Sequence, residues 1–164
     1  MKRQLWILGL IAVLVGGCAG TVGSKDEHLE LGWLERSVFD KPEHHEFKVR
    51  YDSVSVDQNL AGLISETNLD VQFVVFLGTW CSDSRREVPH FLKIADRCGI
   101  PSSRIRLYGV DRSKKSKDGL TDQFHIERVP TFIFLKDEKE IGRITERPVG
   151  SLEANILSIL TSGK

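Results

Sequence analysis

The run Val71-Gln72-Phe73-Val74-Val75-Phe76-Leu77-Gly78-Thr79-Trp80-Cys81-Ser82-Asp83-Ser84-Arg85 decides the fold. Its first seven residues are nearly all apolar, the mark of a central strand covered on both faces. Residues 82–98 then place Val88, Phe91, Leu92 and Ala95 on one face of an amphipathic helix. Pro89 lies inside that helix and is expected to kink it. A strand that turns directly into a helix leaves Cys81 at the helix N-terminus. Free backbone N–H groups and the helix dipole favour a thiolate there, and the thiolate is the nucleophile of disulfide exchange. Arg85 and Arg86 add positive charge near the thiol, and Asp83 opposes it.

Outward from this core the pattern alternates. Residues 47–51 (FKVRY) alternate apolar and polar, which reads as a half-buried strand. Asp57 is placed to cap a helix carrying Leu60, Leu63 and Ile64. Residues 104–110 and 131–135 read as strands, and residues 118–125 as a short helix between them. Residues 136–139 turn the chain into a strand over 140–145, and a last helix starts at Ser151 with Ile156, Leu157 and Leu160 inward. The predicted order β-α-β-α-β-α-β-β-α specifies an α/β sheet with helices on both faces. Leu29, Leu31, Trp33 and Leu34 precede the pattern and are expected to pack onto the core.

Composition sets the class. The chain has 164 residues, 28% charged and 40% hydrophobic, with 23 basic and 23 acidic side chains. That fits one soluble domain with a short appendage and excludes a disordered tail protein or a multispanning membrane protein. A net charge of zero gives no basic face for nucleic acid. Three cysteines are too few for a disulfide-stapled scaffold.

The N-terminus reads as an address. Lys2 and Arg3 precede an apolar run over residues 5–15, too short for the roughly 20 residues that span a bilayer. Leu14-Val15-Gly16-Gly17-Cys18 resembles the lipobox of bacterial lipoproteins. The resemblance implies a signal peptide over residues 1–17 and lipidation of Cys18, whose acyl chains hold the protein to a membrane. Ala19 follows the cysteine where an Asp would mark inner-membrane retention, so the resemblance favours the outer membrane. Residues 18–27 form the lipidated cysteine and a small, polar tether. Residues 28–46 form an extension, and residues 47–164 the main domain.

The motif Trp80-Cys81-Ser82-Asp83-Ser84, Pro89 five residues after it, Val129-Pro130-Thr131 before a strand, and Glu140-Ile141-Gly142 together resemble the thioredoxin superfamily. The resemblance implies a mixed central sheet. It also implies a cis Val129–Pro130 bond whose loop lies against Cys81, and substrate contacts from Trp80, Val129, Pro130 and Thr131. The departures are specific. Ser84 stands where the family carries its second cysteine, and Val75 stands where it buries an Asp. A hydroxyl cannot resolve a mixed disulfide, and an acid serving an absent thiol has no task. Ser84 is placed to face Cys81 and donate a hydrogen bond to it. Cys98 is about 25 Å from Cys81 along the helix, far beyond disulfide reach, and reads as a half-buried helix-end cysteine. Gly78 stands where peroxidase-type relatives need Thr or Ser, and Arg85 where copper-carrying relatives need a second Cys. His44 and His45 read as part of a solvated loop, and residues 112–118 as another; neither implies a metal site or a cofactor.

Two functions follow. One is monothiol thiol-disulfide exchange through Cys81 outside the cytoplasm, acting on protein disulfides or mixed disulfides with an external thiol as reductant. The other is a non-catalytic thioredoxin-fold module that binds an extended peptide. The reactivity of Cys81 separates them.

Overall fold

In the computed structural model, which describes residues 29–67 and 70–162, the chain begins with β1 (Gly32–Leu34) and two 3₁₀ turns (Arg36–Asp40, Pro42–His44). It continues through α1 (His45–Ser53), α2 (Gln58–Ser65), β2 (Gln72–Leu77), α3 (Ser82–Arg97) and β3 (Ile105–Gly109). α4 (Leu120–Gln123), β4 (Thr131–Lys136), β5 (Lys139–Thr145) and α5 (Leu152–Ser162) complete it. The expected leader, Cys18 and the tether lie outside the described residues. No helix among the described residues is long and apolar enough to cross a membrane.

The five strands form one mixed sheet in the order β1-β3-β2-β4-β5. Only β2 and β3 are parallel, joined by α3 as the crossover; the other three pairings are antiparallel. β2 divides the interior as its composition requires. Phe73, Val75 and Leu77 enter a large cluster under α1, α2, α3 and α5. Val74 and Phe76 enter a smaller one with Tyr108, Val110, Ile126, Val129 and Ile133, packed against Leu120 of α4 and Phe124. Helices thus cover both faces, unequally. Asp57 caps α2 as expected, accepting from the N–H groups of Asn59 and Leu60. On α2, Ile64 is buried with Ala61, whereas Leu63 faces solvent.

The first expected strand is a helix. Residues 47–51 lie in α1, with Phe47 buried and Val49 60% exposed. Phe47 and Tyr51 are four apart and share the face turned to α3, so five alternating residues satisfy a helical period as well as a strand period. The strand that takes its place in the order is β1, which pairs antiparallel with β3. Leu31 and Trp33 do not pack into the core: both are exposed, and Trp33 stacks under the Arg106 guanidinium and edge-on to Tyr108. Val38 and Phe39 supply the buried contacts of this segment, Phe39 stacking on Phe47. α3 runs unbroken through Pro89. Cys98 caps α3 and is buried rather than half-buried, its thiol donating to the Ala61 carbonyl at 3.5 Å.

Polar ties hold the layers. Glu153 of α5 is buried; its Oε1 accepts from the Asp57 N–H at 3.3 Å and lies 3.1 Å from His90 Nε2 on α3. Both terminal guanidinium nitrogens of Arg36 and the Tyr51 hydroxyl donate to the Asp96 carboxylate, pinning the N-terminal segment and α1 to α3. Burial pushes the Asp96 carboxyl up, but the hydrogen bonds from Arg36 and Tyr51 and the Arg36 charge outweigh it and hold the group below its ordinary range.

Glu153→Ala leaves the His90 ring and the Asp57 N–H without their acceptor and should cost about 1–3 kcal/mol, read as a lower Tm. A Tm within error of the parent would contradict this role for Glu153. A carboxyl depressed in the fold contributes stability above its unfolded value and loses it as pH falls through the folded one. Asp96→Asn should therefore lower Tm near neutral pH, and the gap to the parent should close as pH falls below about 4. A gap independent of pH would count against the Arg36–Asp96 tie.

Candidate functional site

β2 ends at Leu77, and the chain turns over Gly78, Thr79 and Trp80 to deliver Cys81 as the N-cap of α3. The Cys81 N–H donates to the Gly78 carbonyl at 2.9 Å, and its own carbonyl accepts from Arg85 at 3.0 Å. Its thiol is half-buried and donates to the Val129 carbonyl at 3.3 Å. The Val129–Pro130 bond is cis, and its loop lies against Cys81 as the resemblance implies.

Ser84 differs from its expected part. Its side chain is fully buried, and the hydroxyl accepts from the Gly78 N–H at 3.2 Å, locking the strand-to-helix turn. The bond expected from Ser84 to Cys81 is replaced by the bond from Cys81 to Val129. Val75 is fully buried in the large cluster, so the interior holds no acid at that position.

Trp80 lies over Gly78, where a Cβ would come within 2.6 Å of the indole. Its Nε1 donates to the Val110 carbonyl at 2.9 Å, and the Arg112 guanidinium sits 4.9 Å from its ring centre. The indole forms one wall of an open, polar groove of about 440 Å³ with Glu43, His44, Thr79, Arg85 and Arg112. Val129, Pro130 and Thr131 are all buried, and the Thr131 hydroxyl donates to the Arg128 carbonyl at 2.7 Å. Two carbonyls of this loop already have donors inside the fold, Val129 from Cys81 and Pro130 from the Glu146 N–H. Residues 112–118 form a loop as expected, tied down where the Tyr108 hydroxyl donates to Asp118.

The charges around the thiol are largely paired. Arg85 binds Glu46 of α1 and donates to the Trp80 carbonyl. Arg86 donates to Glu87 at 2.6 Å, and its Nη2 makes a 2.8 Å charge contact with Asp83. Arg147, from the loop after β5, reaches the same Asp83 oxygen at 3.3 Å. Nothing in the sequence signals that pair, because its members stand 64 positions apart.

The histidine pair is not a solvated loop. His44 closes a 3₁₀ turn, is buried, and lies 3.2 Å from Glu30, while His45 begins α1. Glu30, Glu43 and His44 bring ligand-type atoms within 4.8 Å of one another. Lys41 already meets the Glu30 carboxylate. Burial pushes the Glu30 carboxyl up, and hydrogen bonds from Lys41 and His44 with their charges hold it below its ordinary range.

One thiol at a helix N-terminus, against a cis-proline loop at the same end of a mixed five-stranded sheet, defines a thioredoxin-fold domain. The thioredoxin family's sequence model matches residues 38–156, and the chain belongs to that family. Among curated relatives, thioredoxin H9 of Arabidopsis thaliana is 27% identical over 101 residues, covering 60% of this chain and 68% of the relative. The TPR repeat-containing thioredoxin TDX, also of Arabidopsis thaliana, is 32% identical over 81 residues, or 49% of this chain. The match spans only 20% of that longer relative. Among solved structures, a protein of unknown function, PA1234 from Pseudomonas aeruginosa, superposes with a TM-score of 0.57 at 16% identity. That superposition covers 74% of this chain and 86% of the other, and it concerns the fold alone. At family level the chain is a thioredoxin-like protein consistent with redox or thiol exchange.

Gly78→Ala tests the turn. The added methyl must push the indole off the Val110 carbonyl, at a cost of about 1–3 kcal/mol. Tm should fall and the tryptophan emission should shift. An unchanged melt and spectrum would mean that the indole does not need its present seat.

Proposed function

We propose that the protein is a monothiol thiol-disulfide exchange protein, held by lipidated Cys18 on the extracytoplasmic side of a membrane. The observation that supports it most is the seat of Cys81: half-exposed, at the N-cap of α3, and hydrogen-bonded to the Val129 carbonyl. In the reaction, the Cys81 thiolate attacks one sulfur of a protein disulfide. A Cys81–substrate bond forms, and the other substrate sulfur leaves as thiolate. Because the proton of Cys81 is gone, the Val129 carbonyl loses its donor and becomes free to accept from a substrate backbone N–H. With Ser84 in place of a second thiol, an external thiol must attack the mixed disulfide at Cys81. It releases the second substrate sulfur and takes its place. A further thiol equivalent restores Cys81 and leaves as the external disulfide. The substrate gains two electrons, and the external thiols lose two.

The anchoring half of the reading rests on the lipobox-like Val15-Gly16-Gly17-Cys18. Protein from its native host should lack residues 1–17 and carry acyl mass on Cys18 by mass spectrometry, and an unmodified N-terminus elsewhere would overturn the anchor.

For the exchange itself, the reduced protein should capture oxidised substrate proteins as adducts that a reductant releases, and Cys81→Ser should capture none. Ser84→Cys should shorten the life of those adducts and speed insulin reduction, but only in part, because Val75 supplies no proton acceptor for the new thiol. If the parent captures nothing and Ser84→Cys is also inert, the non-catalytic peptide-binding module replaces this reading.

A further inference from the structure

We infer that Arg147 is a positioning residue for Cys81: reaching across from the loop after β5, it neutralises the Asp83 carboxylate in the first turn of the helix that the thiol caps. Its use in catalysis rests on the thiol-exchange reading above, but the neutralisation can be read on the thiol alone.

Asp83 lies in the first turn of α3, two residues after the thiol. There an acid suits the helix dipole, yet its charge disfavours a thiolate close by. Four charges meet at this corner. Asp83 and Glu87 are negative, and Arg86 divides itself between them. The Arg86 contact with Asp83 is one of charge, without an aligned hydrogen bond. Arg147 supplies the second positive charge and donates to Asp83 through Nε at 3.3 Å. The remaining cation of the turn, Arg85, is committed to Glu46. Removing Arg147 therefore leaves one uncompensated negative charge in the first turn of α3, which Cys81 caps.

The backbone around Arg147 is shaped for this reach. Glu146 sits at φ +57, and its N–H donates to the Pro130 carbonyl at 2.7 Å. Its carboxylate accepts from Arg128 at 2.7 Å. Consecutive side chains thus hold opposite walls of the site, Glu146 the cis-proline loop and Arg147 the start of α3. The contact is exposed, with Arg147 at 71% and Asp83 at 20%. Exposed pairs of this kind are screened by salt.

The test is the alkylation rate of Cys81 by iodoacetamide at neutral pH, followed by peptide mass so that Cys98 and Cys18 do not confuse it. Arg147→Met should slow alkylation about two- to five-fold at low ionic strength, the range expected for an exposed pair. The slowing should vanish at about 1 M salt, where screening reaches within about 3 Å. Arg147→Lys should retain the parent rate. Asp83→Asn should react at least as fast as the parent, and Asp83→Asn with Arg147→Met should match Asp83→Asn alone. A parent-like rate in Arg147→Met overturns the inference. So does a double variant as slow as Arg147→Met, which would mean the loop had simply come apart. If Cys81 captures no disulfide but Arg147→Met still slows alkylation, the exchange reading fails and the positioning stands.

Discussion

Burial of both faces of β2 is the constraint on which the rest depends. Phe73, Val75 and Leu77 enter one apolar cluster and Val74 and Phe76 the other, all at most 1% exposed. A strand so enclosed cannot slip by one residue without exchanging its two faces. Its end is therefore fixed in space, and with it the turn that carries Gly78, Trp80 and Cys81. Ser84 transmits that fixity, since its buried hydroxyl takes the Gly78 N–H. The Cys81 thiol is thus held from the strand side and the helix side together.

Two replacements set this site apart from the two-thiol pattern that the resemblance implies. Ser84 occupies the place of a second thiol, and Val75 that of a buried acid. In this protein both positions serve structure, one bracing a turn and the other filling the core. What remains is a single sulfur donating to a loop carbonyl. The side-chain charges around it are spent on one another: Arg85 on Glu46, Arg86 and Arg147 on Asp83 and Glu87.

The N-terminal segment adds a different kind of support. β1 extends the sheet beyond β3, and the following 3₁₀ turns carry Phe39 onto Phe47. Arg36 then ties the segment to α3 through Asp96. The helix that presents Cys81 is braced from behind by residues well separated from it in the chain. The same segment lends His44 and Glu43 to the groove beside Trp80.

The sequence by itself determined the central strand, the helix after it, the place of Cys81 at their junction and the cap at Asp57. These features are local: they need a run of apolar residues, a 3.6-residue period or one side chain next to its own backbone. The cis-proline loop was legible only through resemblance to a family, because nothing local draws Val129 to Cys81. Residues 47–51 show where local reading ends. Five alternating residues fit either period, and packing of Phe47 and Tyr51 against α3 selected the helix. β1 was invisible because three residues carry too little pattern, and pairing with β3 makes the strand. His44 looked solvent-facing until Glu30 and Phe47 enclosed it. Tertiary structure alone decided the Asp83–Arg147 contact and the turning of Ser84 toward Gly78, since charge pairing and hydrogen bonding act through space, and their partners were assembled only when the sheet closed the chain upon itself.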